Sequence, residues 1–273
     1  MNRALFLIPV LLSSVGCSSQ EDYVRKTGIA GGPAAIATAA AKSEPVAFTD
    51  NAEREGAERE FTYKWPAQVS AQPELAKLLI ADRDKALAQE RRDWEAAIAD
   101  CPADAVPCRN RSYSLDWKLV ADTPRYLSLS GDVGGYTGGA HGMYGLRSLV
   151  WDKQARTAVD GVALFRSPAA LDAALGPKLC AALNAEREKR RGEPVDPQAP
   201  DEFGTGFDQC QKVENATVLV GSSNGRAFDR IGIWFGPYVA GSYAEGAYEL
   251  NFPVDAAVLK AVKPEYAAAF AAR

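Results

Sequence analysis

Histidine is nearly missing: His141 is the only one in 273 residues. That excludes any zinc site built on two or three imidazoles, and no metal site or other cofactor is expected. No Cys-x-x-Cys occurs, which removes a dithiol redox motif and a zinc ribbon. Positive charge is not in excess, since 31 Lys+Arg stand against 35 Asp+Glu for a net charge of −4. The basic face that nucleic acid demands is therefore lacking, and no nucleic-acid partner is expected. No phosphate loop is present, because no glycine run ends in Gly-Lys-Ser/Thr. Apolar runs are short as well. The run from Ala4 to Leu12 has nine residues, against the roughly 20 a spanning helix needs.

What remains is a globular composition, 47% hydrophobic and 24% charged, which rules out wholesale disorder. The N-terminus has a second message. Arg3, the apolar run and the small residues before Cys17 read as an export signal over residues 1–16. Val15-Gly16-Cys17 resembles the end of a bacterial lipoprotein signal, which implies that Cys17 becomes the lipidated first residue and anchors the chain to an envelope membrane, facing the periplasm. Residues 17–43, rich in Ala and Gly, then serve as a flexible tether. Of five cysteines, lipidation of Cys17 leaves four. Cys101 and Cys108 bracket a short loop with two prolines, so they are expected to pair, and Cys180 with Cys210.

The folded part reads as α+β: two packed subdomains, residues 44–152 and 153–273, each an antiparallel sheet with helix. Strands are expected over EPVAFTD and EREFTYKWP, with a turn at Gly56. A helix runs from Pro73 to about Asp100, with Leu75, Leu79, Ala86 and Ala97 on its inner face. Strands return from Ser112 to Trp151, with Tyr113, Leu115, Trp117 and Leu119 alternating. Leu171, Leu175, Leu179 and Leu183 mark a second helix, divided at Gly176-Pro177. Its end, EREKRRG, reads as a solvated basic turn. Further strands follow near residues 216–221, 228–235 and 248–252, and a short helix ends the chain.

Four features could carry chemistry. Gly221-Ser222-Ser223-Asn224-Gly225 fits G-x-S-x-G, but strands flank it and the sole histidine precedes Ser223, so it reads as a hairpin turn rather than a nucleophile elbow. Carboxylate pairs such as Asp201/Glu202 sit in a polar loop with nothing apolar to raise a pKa, which gives a glycosidase no support. Tyr238, Tyr243 and Tyr248, five apart, form either an aromatic face or a set of core and edge positions. The densest signal is residues 134–145, six glycines in twelve. It is either a tight connection between strands with an inert His141, or a rigid rim where Tyr136, Thr137, His141 and Tyr144 meet a partner. No catalytic residue is assigned. A hydrolase would have to use His141 as its general base, or else carboxylates alone, and the sequence neighbours of His141 are Gly, Ala and Met.

The run GYTGGAHGMYGLRSLVWD, with VDGVALF after it and FGPYVAGSYAEGAYELNFPVDAAVLKAV near the C-terminus, resembles paired domains of unknown function. They occur in the ectodomains of RsiV-like anti-sigma factors and beside the catalytic domain of PdaC-like peptidoglycan deacetylases, and the resemblance covers roughly residues 45–262. It implies a PdaC-like first subdomain, an RsiV-like second one, and a non-enzymatic binding or sensory module outside the cytoplasm. The partner it implies is a lysozyme-like protein or peptidoglycan; the alternative is a structural envelope lipoprotein without a specific ligand. Neither a sigma-binding segment nor a deacetylase domain is read in the chain.

Overall fold

The computed structural model describes residues 43–198 and 204–273. The expected signal peptide, Cys17, nearly all of the tether and the Asp201/Glu202 pair lie outside the described residues. Among the described residues no helix is long and apolar enough to cross a membrane.

The first seven strands form one sheet: β1 (Val46–Thr49), β2 (Ala52–Arg54), β3 (Ala57–Trp65), β4 (Arg111–Asp122), β5 (Tyr126–Tyr136), β6 (Met143–Asp152) and β7 (Thr157–Val159). Their order is β1-β3-β4-β5-β6-β7, with β2 also joined to β3. The sheet is not purely antiparallel, as expected from the sequence, because β3 and β4 run parallel. The cause is the connection between them. Parallel neighbours need a long crossover, and the 28-residue helix α1 (Pro73–Asp100) supplies it, starting with proline at its first turn. Strand β7 lies past residue 152 and pairs with β6.

Helix α1 covers one face of this sheet. Leu75, Leu79 and Leu87 are buried with Phe61, Tyr63, Trp65, Leu115, Trp117, Leu129 and Trp151, and Trp94 is buried beneath the guanidinium groups of Arg54 and Arg59. Ala86 and Ala97 are only half-buried, because the larger Leu87 and Trp94 one residue or one turn away fill the space. The alternation of β4 also breaks. Leu119 is 40% exposed, since a bulge shifts the register between Leu119 and Ala121. In β5, residues 126–129 are all buried, with Leu127 and Leu129 facing the α1 core and Tyr126 facing the second one.

The second core sits between helices α2 (Pro168–Leu175) and α3 (Pro177–Arg191), the final helix α4 (Ala256–Ala261), and a three-stranded antiparallel sheet of β8 (Thr217–Gly221), β9 (Arg230–Phe235) and β10 (Tyr248–Pro253). The four leucines spaced by four are all buried, and Gly176, at φ 54°, divides the two helices. The sheet buries Val218, Val220, Ile231, Ile233, Phe235, Tyr248, Leu250 and Phe252 on one face. Cys101 is bonded to Cys108 and Cys180 to Cys210, bridges that fit an oxidising compartment. In segment EREKRRG, Glu188, Lys189 and Arg190 are exposed, as the sequence led us to expect, but Arg187 is not. Arg187 is fully buried, and its guanidinium donates to the carbonyls of Ala240 at 2.9 Å and Gln209 at 3.0 Å and to the Asn184 side chain at 2.8 Å. A buried guanidinium needs such partners, and here loop carbonyls supply them in place of carboxylates.

Candidate functional site

The glycine-rich run is the connection between β5 and β6, antiparallel neighbours in register from Tyr126↔Asp152 to Gly135↔Met143. Gly138 and Gly139 have φ of +91° and +96°, a region open to glycine and strained for other residues. Gly138 also lies over the Cys101–Cys108 loop, where an added Cβ would stand 3.5 Å from the carbonyls of Pro107 and Cys108. The disulfide loop thus backs the Gly-rich loop. The Tyr136 hydroxyl closes the turn by donating to the Gly139 carbonyl at 2.8 Å.

The remaining geometry comes from the distant segment Gly236–Ala247, which the sequence did not place beside the motif. The His141 imidazole is stacked on the ring of Tyr243, with centroids 3.9 Å apart and planes 22° apart. Its Nδ1 lies 2.9 Å from the Gly142 carbonyl. A carbonyl only accepts, so Nδ1 carries the proton in the neutral ring, and Nε2 accepts from the Tyr238 hydroxyl at 3.3 Å. Tyr243 donates to the same Gly142 carbonyl at 2.8 Å. The Tyr144 hydroxyl accepts from the backbone N–H of Ala247 at 3.0 Å, and its ring meets that of Tyr243 edge-on, 6.1 Å between centroids.

Of the four rim residues expected from sequence, His141 and Tyr144 join this cluster. Thr137 is exposed and, with His141, Met143 and Tyr144, lines a depression of about 290 Å³ floored by Tyr113 and Val133. Tyr136 lies at the turn itself. Sequence reasoning placed Tyr238 and Tyr243 in no site. Tyr238 is 49% exposed and holds φ at +66°, a left-handed backbone that costs a non-glycine residue on the order of 1 kcal/mol. Tyr248 belongs to the core, fully buried, so the three tyrosines combine both alternatives.

Helix α3 fixes the Tyr238–Tyr243 loop from beneath. Arg187 binds the Ala240 carbonyl. Arg190 donates to the carbonyls of Glu245 and Ala247, both at 2.8 Å, and lies over the Tyr248 ring. Arg191 bridges Glu245, at 2.8 Å, and Asp208. Burial opposes ionisation of Glu245, but the Tyr248 hydroxyl, Arg191 and the Ser242 N–H together hold its carboxyl down at about 2. The same pairing, with burial, pushes the Tyr248 hydroxyl up to about 12.

Chemically, this arrangement offers rings and hydrogen-bonding edges. Among the described residues neither ring nitrogen of His141 bonds an aliphatic hydroxyl, a thiol or a carboxylate, so they form no nucleophile–base–orienter geometry of hydrolysis around it. Ser223 of the G-x-S-x-G run hydrogen-bonds Asp229 through both its N–H and its hydroxyl, within a turn between β8 and β9. Among the described residues no group of three His, Cys, Asp or Glu side chains could hold a metal ion.

Comparison with known proteins adds the following. No curated protein matches the chain. Two solved structures are similar to the chain at low identity. One is a member of the DUF3298 family from Bacteroides fragilis, 14% identical, covering 77% of this chain and 89% of its own, with a TM-score of 0.47. The other is a DUF3298 family protein from Pseudomonas aeruginosa, 15% identical, covering 84% and 97%, with a TM-score of 0.46. Residues 53–144, from β2 to the glycine-rich loop with His141 and Tyr144, match the family described as Deacetylase PdaC, and over that segment the resemblance carried by the motif holds.

Proposed function

We propose that this chain is an exported, non-enzymatic binding lipoprotein, held to an envelope membrane through Cys17. Its ligand docks on the aromatic rim of Thr137, His141, Tyr144, Tyr238 and Tyr243. The partner class is a lysozyme-like protein, by the resemblance of the rim motif to RsiV-like ectodomains. The observation that carries this reading is the His141–Tyr243 stack with Tyr238 beside it, outward and in a strained backbone. Exposed tyrosines locked by hydrogen bonds lose little entropy on binding and are common anchors in protein interfaces. Backbone strain at a non-glycine residue marks places where side-chain position serves more than folding.

The test is direct binding of the purified protein to lysozyme, with isolated peptidoglycan as the second arm. Saturable lysozyme binding that falls at least about tenfold in the His141→Ala/Tyr238→Ala double variant is expected. Binding to peptidoglycan alone would transfer the rim to the wall polymer. Binding to neither would leave the structural-lipoprotein reading as the better one. For the anchor, Cys17→Ser should move the protein from the membrane fraction to the soluble one.

A further inference from the structure

Away from the rim, the two sheets face each other across a cleft of about 270 Å³. Its origin lies in strand alternation. Ser130 and Asp132 on β5 and Lys118 on β4 point away from the α1 core, and Gly232, Trp234, Glu249 and Asn251 point away from the other. The sheets are pinned together along β8, where the Thr217 hydroxyl donates to the Leu146 carbonyl at 2.9 Å. A space between two sheets would ordinarily close on apolar side chains; here, beside Leu146 and Leu219, it is lined by these polar side chains and a single indole.

We propose that this cleft is a saccharide-binding site, with a pyranose ring laid on Trp234. Gly232 opposite Asn251 in the register leaves floor space that any side chain would fill. The indole rests against Gly236, where a Cβ would come within 3.0 Å of the ring. Ser130, Glu249 and Asn251 have no side-chain hydrogen bond to the protein among the described residues, although each lines the cavity. They supply a hydroxyl, a carboxylate and a carboxamide around one aromatic plane. A sugar matches this set, since it has an apolar C–H face for the indole and a ring of hydroxyls that both donate and accept. Lys118 is paired with Asp132, so the site's unbalanced charge is the carboxylate of Glu249. That favours a neutral sugar over a phosphorylated or acidic one. The volume lies just under the roughly 300–1,000 Å³ of small-molecule sites, room for one ring with the chain leaving along the cleft. None of these residues belongs to the rim, so the two sites stand or fall separately.

Isothermal titration of the full chain with neutral tetrasaccharides, one of β-1,4-linked glucose and one of β-1,4-linked N-acetylglucosamine, tests the assignment. At least one should bind saturably. Trp234→Ala should weaken that binding about tenfold or more, and Asn251→Ala, at an exposed position that the fold does not need, should weaken it several-fold with the melting temperature unchanged. No saturable binding by either sugar, or affinity unaltered in Asn251→Ala, would overturn the proposal. So would binding of a free amine such as lysine in place of sugar, which would mean that Trp234 and Glu249 form a cation site. Binding that is lost in His141→Ala but kept in the cleft variants would place the sugar on the rim and also defeat it.

Discussion

Gly161 stands so close to Val218 that a Cβ on it would lie 2.1 Å from the Val218 carbonyl oxygen and 2.7 Å from the Ser148 hydroxyl. That hydroxyl accepts the Gly161 N–H at 3.1 Å. The contact brings the end of the large sheet against β8 and so sets the spacing of the two sheets. Gly161→Ala is expected to cost about 1–3 kcal/mol through overpacking against backbone, read as a lower urea midpoint. Gly145→Ala, where nothing lies within 4 Å of the added methyl, should stay within about 0.5 kcal/mol. Equal effects at both positions would refute the packing argument.

The elements with strong local signals were readable from the chain. Pro73 announced the start of α1, Gly176-Pro177 the break between α2 and α3, and the spacing of the four leucines their inner face. Cys101 and Cys108 were near enough in sequence for their pairing to follow. Three things were not readable. The parallel register of β3 and β4 depends on how α1 crosses the sheet, which alternation does not encode. Arg187 looks like any other charge in a basic run, and its burial depends on carbonyls from residues 208–209 and 240. The site suffered most. His141 and Tyr144 came from the motif, but the stack of His141 on Tyr243 joins two segments that share no local pattern. The left-handed backbone at Tyr238 has no glycine to signal it.

Arg187 offers a second test. Its side chain ties α3 to the Ala240 carbonyl and to the 208–209 segment. Removing it strands the buried Ala240 carbonyl, worth on the order of 1–3 kcal/mol unsatisfied, and releases the half-exposed carbonyls of Asp208 and Gln209. Arg187→Met keeps most of the volume and loses every hydrogen bond, so a destabilisation of about 2–4 kcal/mol is expected by urea unfolding. The Tyr238–Tyr243 loop should then lose amide-exchange protection sooner than the α1 core. Uniform loss of protection across both cores would contradict a local role.

The Glu245 carboxyl gives a pH dependence with a definite sign. Its folded value, about 2, lies below the ordinary 4.5, with burial opposing and Tyr248, Arg191 and the Ser242 N–H prevailing. A depressed acid contributes stability that is complete above the unfolded value and fades as pH falls through the folded one. The melting-temperature gap between wild type and Glu245→Gln should therefore be widest above about pH 4.5 and close toward pH 2. Asp50, Asp82 and Asp152 are also held low, but they titrate in both proteins and cancel in the difference. A gap that stays constant down to pH 2 would show that Glu245 matters for shape and not for charge. At the alkaline end Tyr248, raised to about 12 by burial and Glu245, adds stability that is complete below about pH 10 and lost toward pH 12.

His141 and Tyr238 separate stability from binding at the rim. His141 is exposed, and the Gly142 carbonyl it bonds keeps the Tyr243 hydroxyl if the imidazole is removed. Tyr238, likewise exposed, can turn its hydroxyl to water. No buried group is stranded, so His141→Ala should cost less than about 1 kcal/mol of stability, not the roughly 1–3 kcal/mol that an unsatisfied buried partner would exact. Tyr238→Gly removes a side chain from a left-handed backbone that glycine accepts freely, so its melting temperature should hold or rise, by up to about 1 kcal/mol in equivalent stability. If the rim exists to hold the fold, both variants must lose stability. If it exists to hold a ligand, both keep it and lose affinity. A third outcome would sink the binder altogether: a reproducible turnover of ester, peptide or peptidoglycan substrates that disappears in His141→Ala while the melting temperature stays put. In that case the Nε2 lone pair that Tyr238 covers would be the base, and Tyr238→Gly, by uncovering it, should change the rate as well.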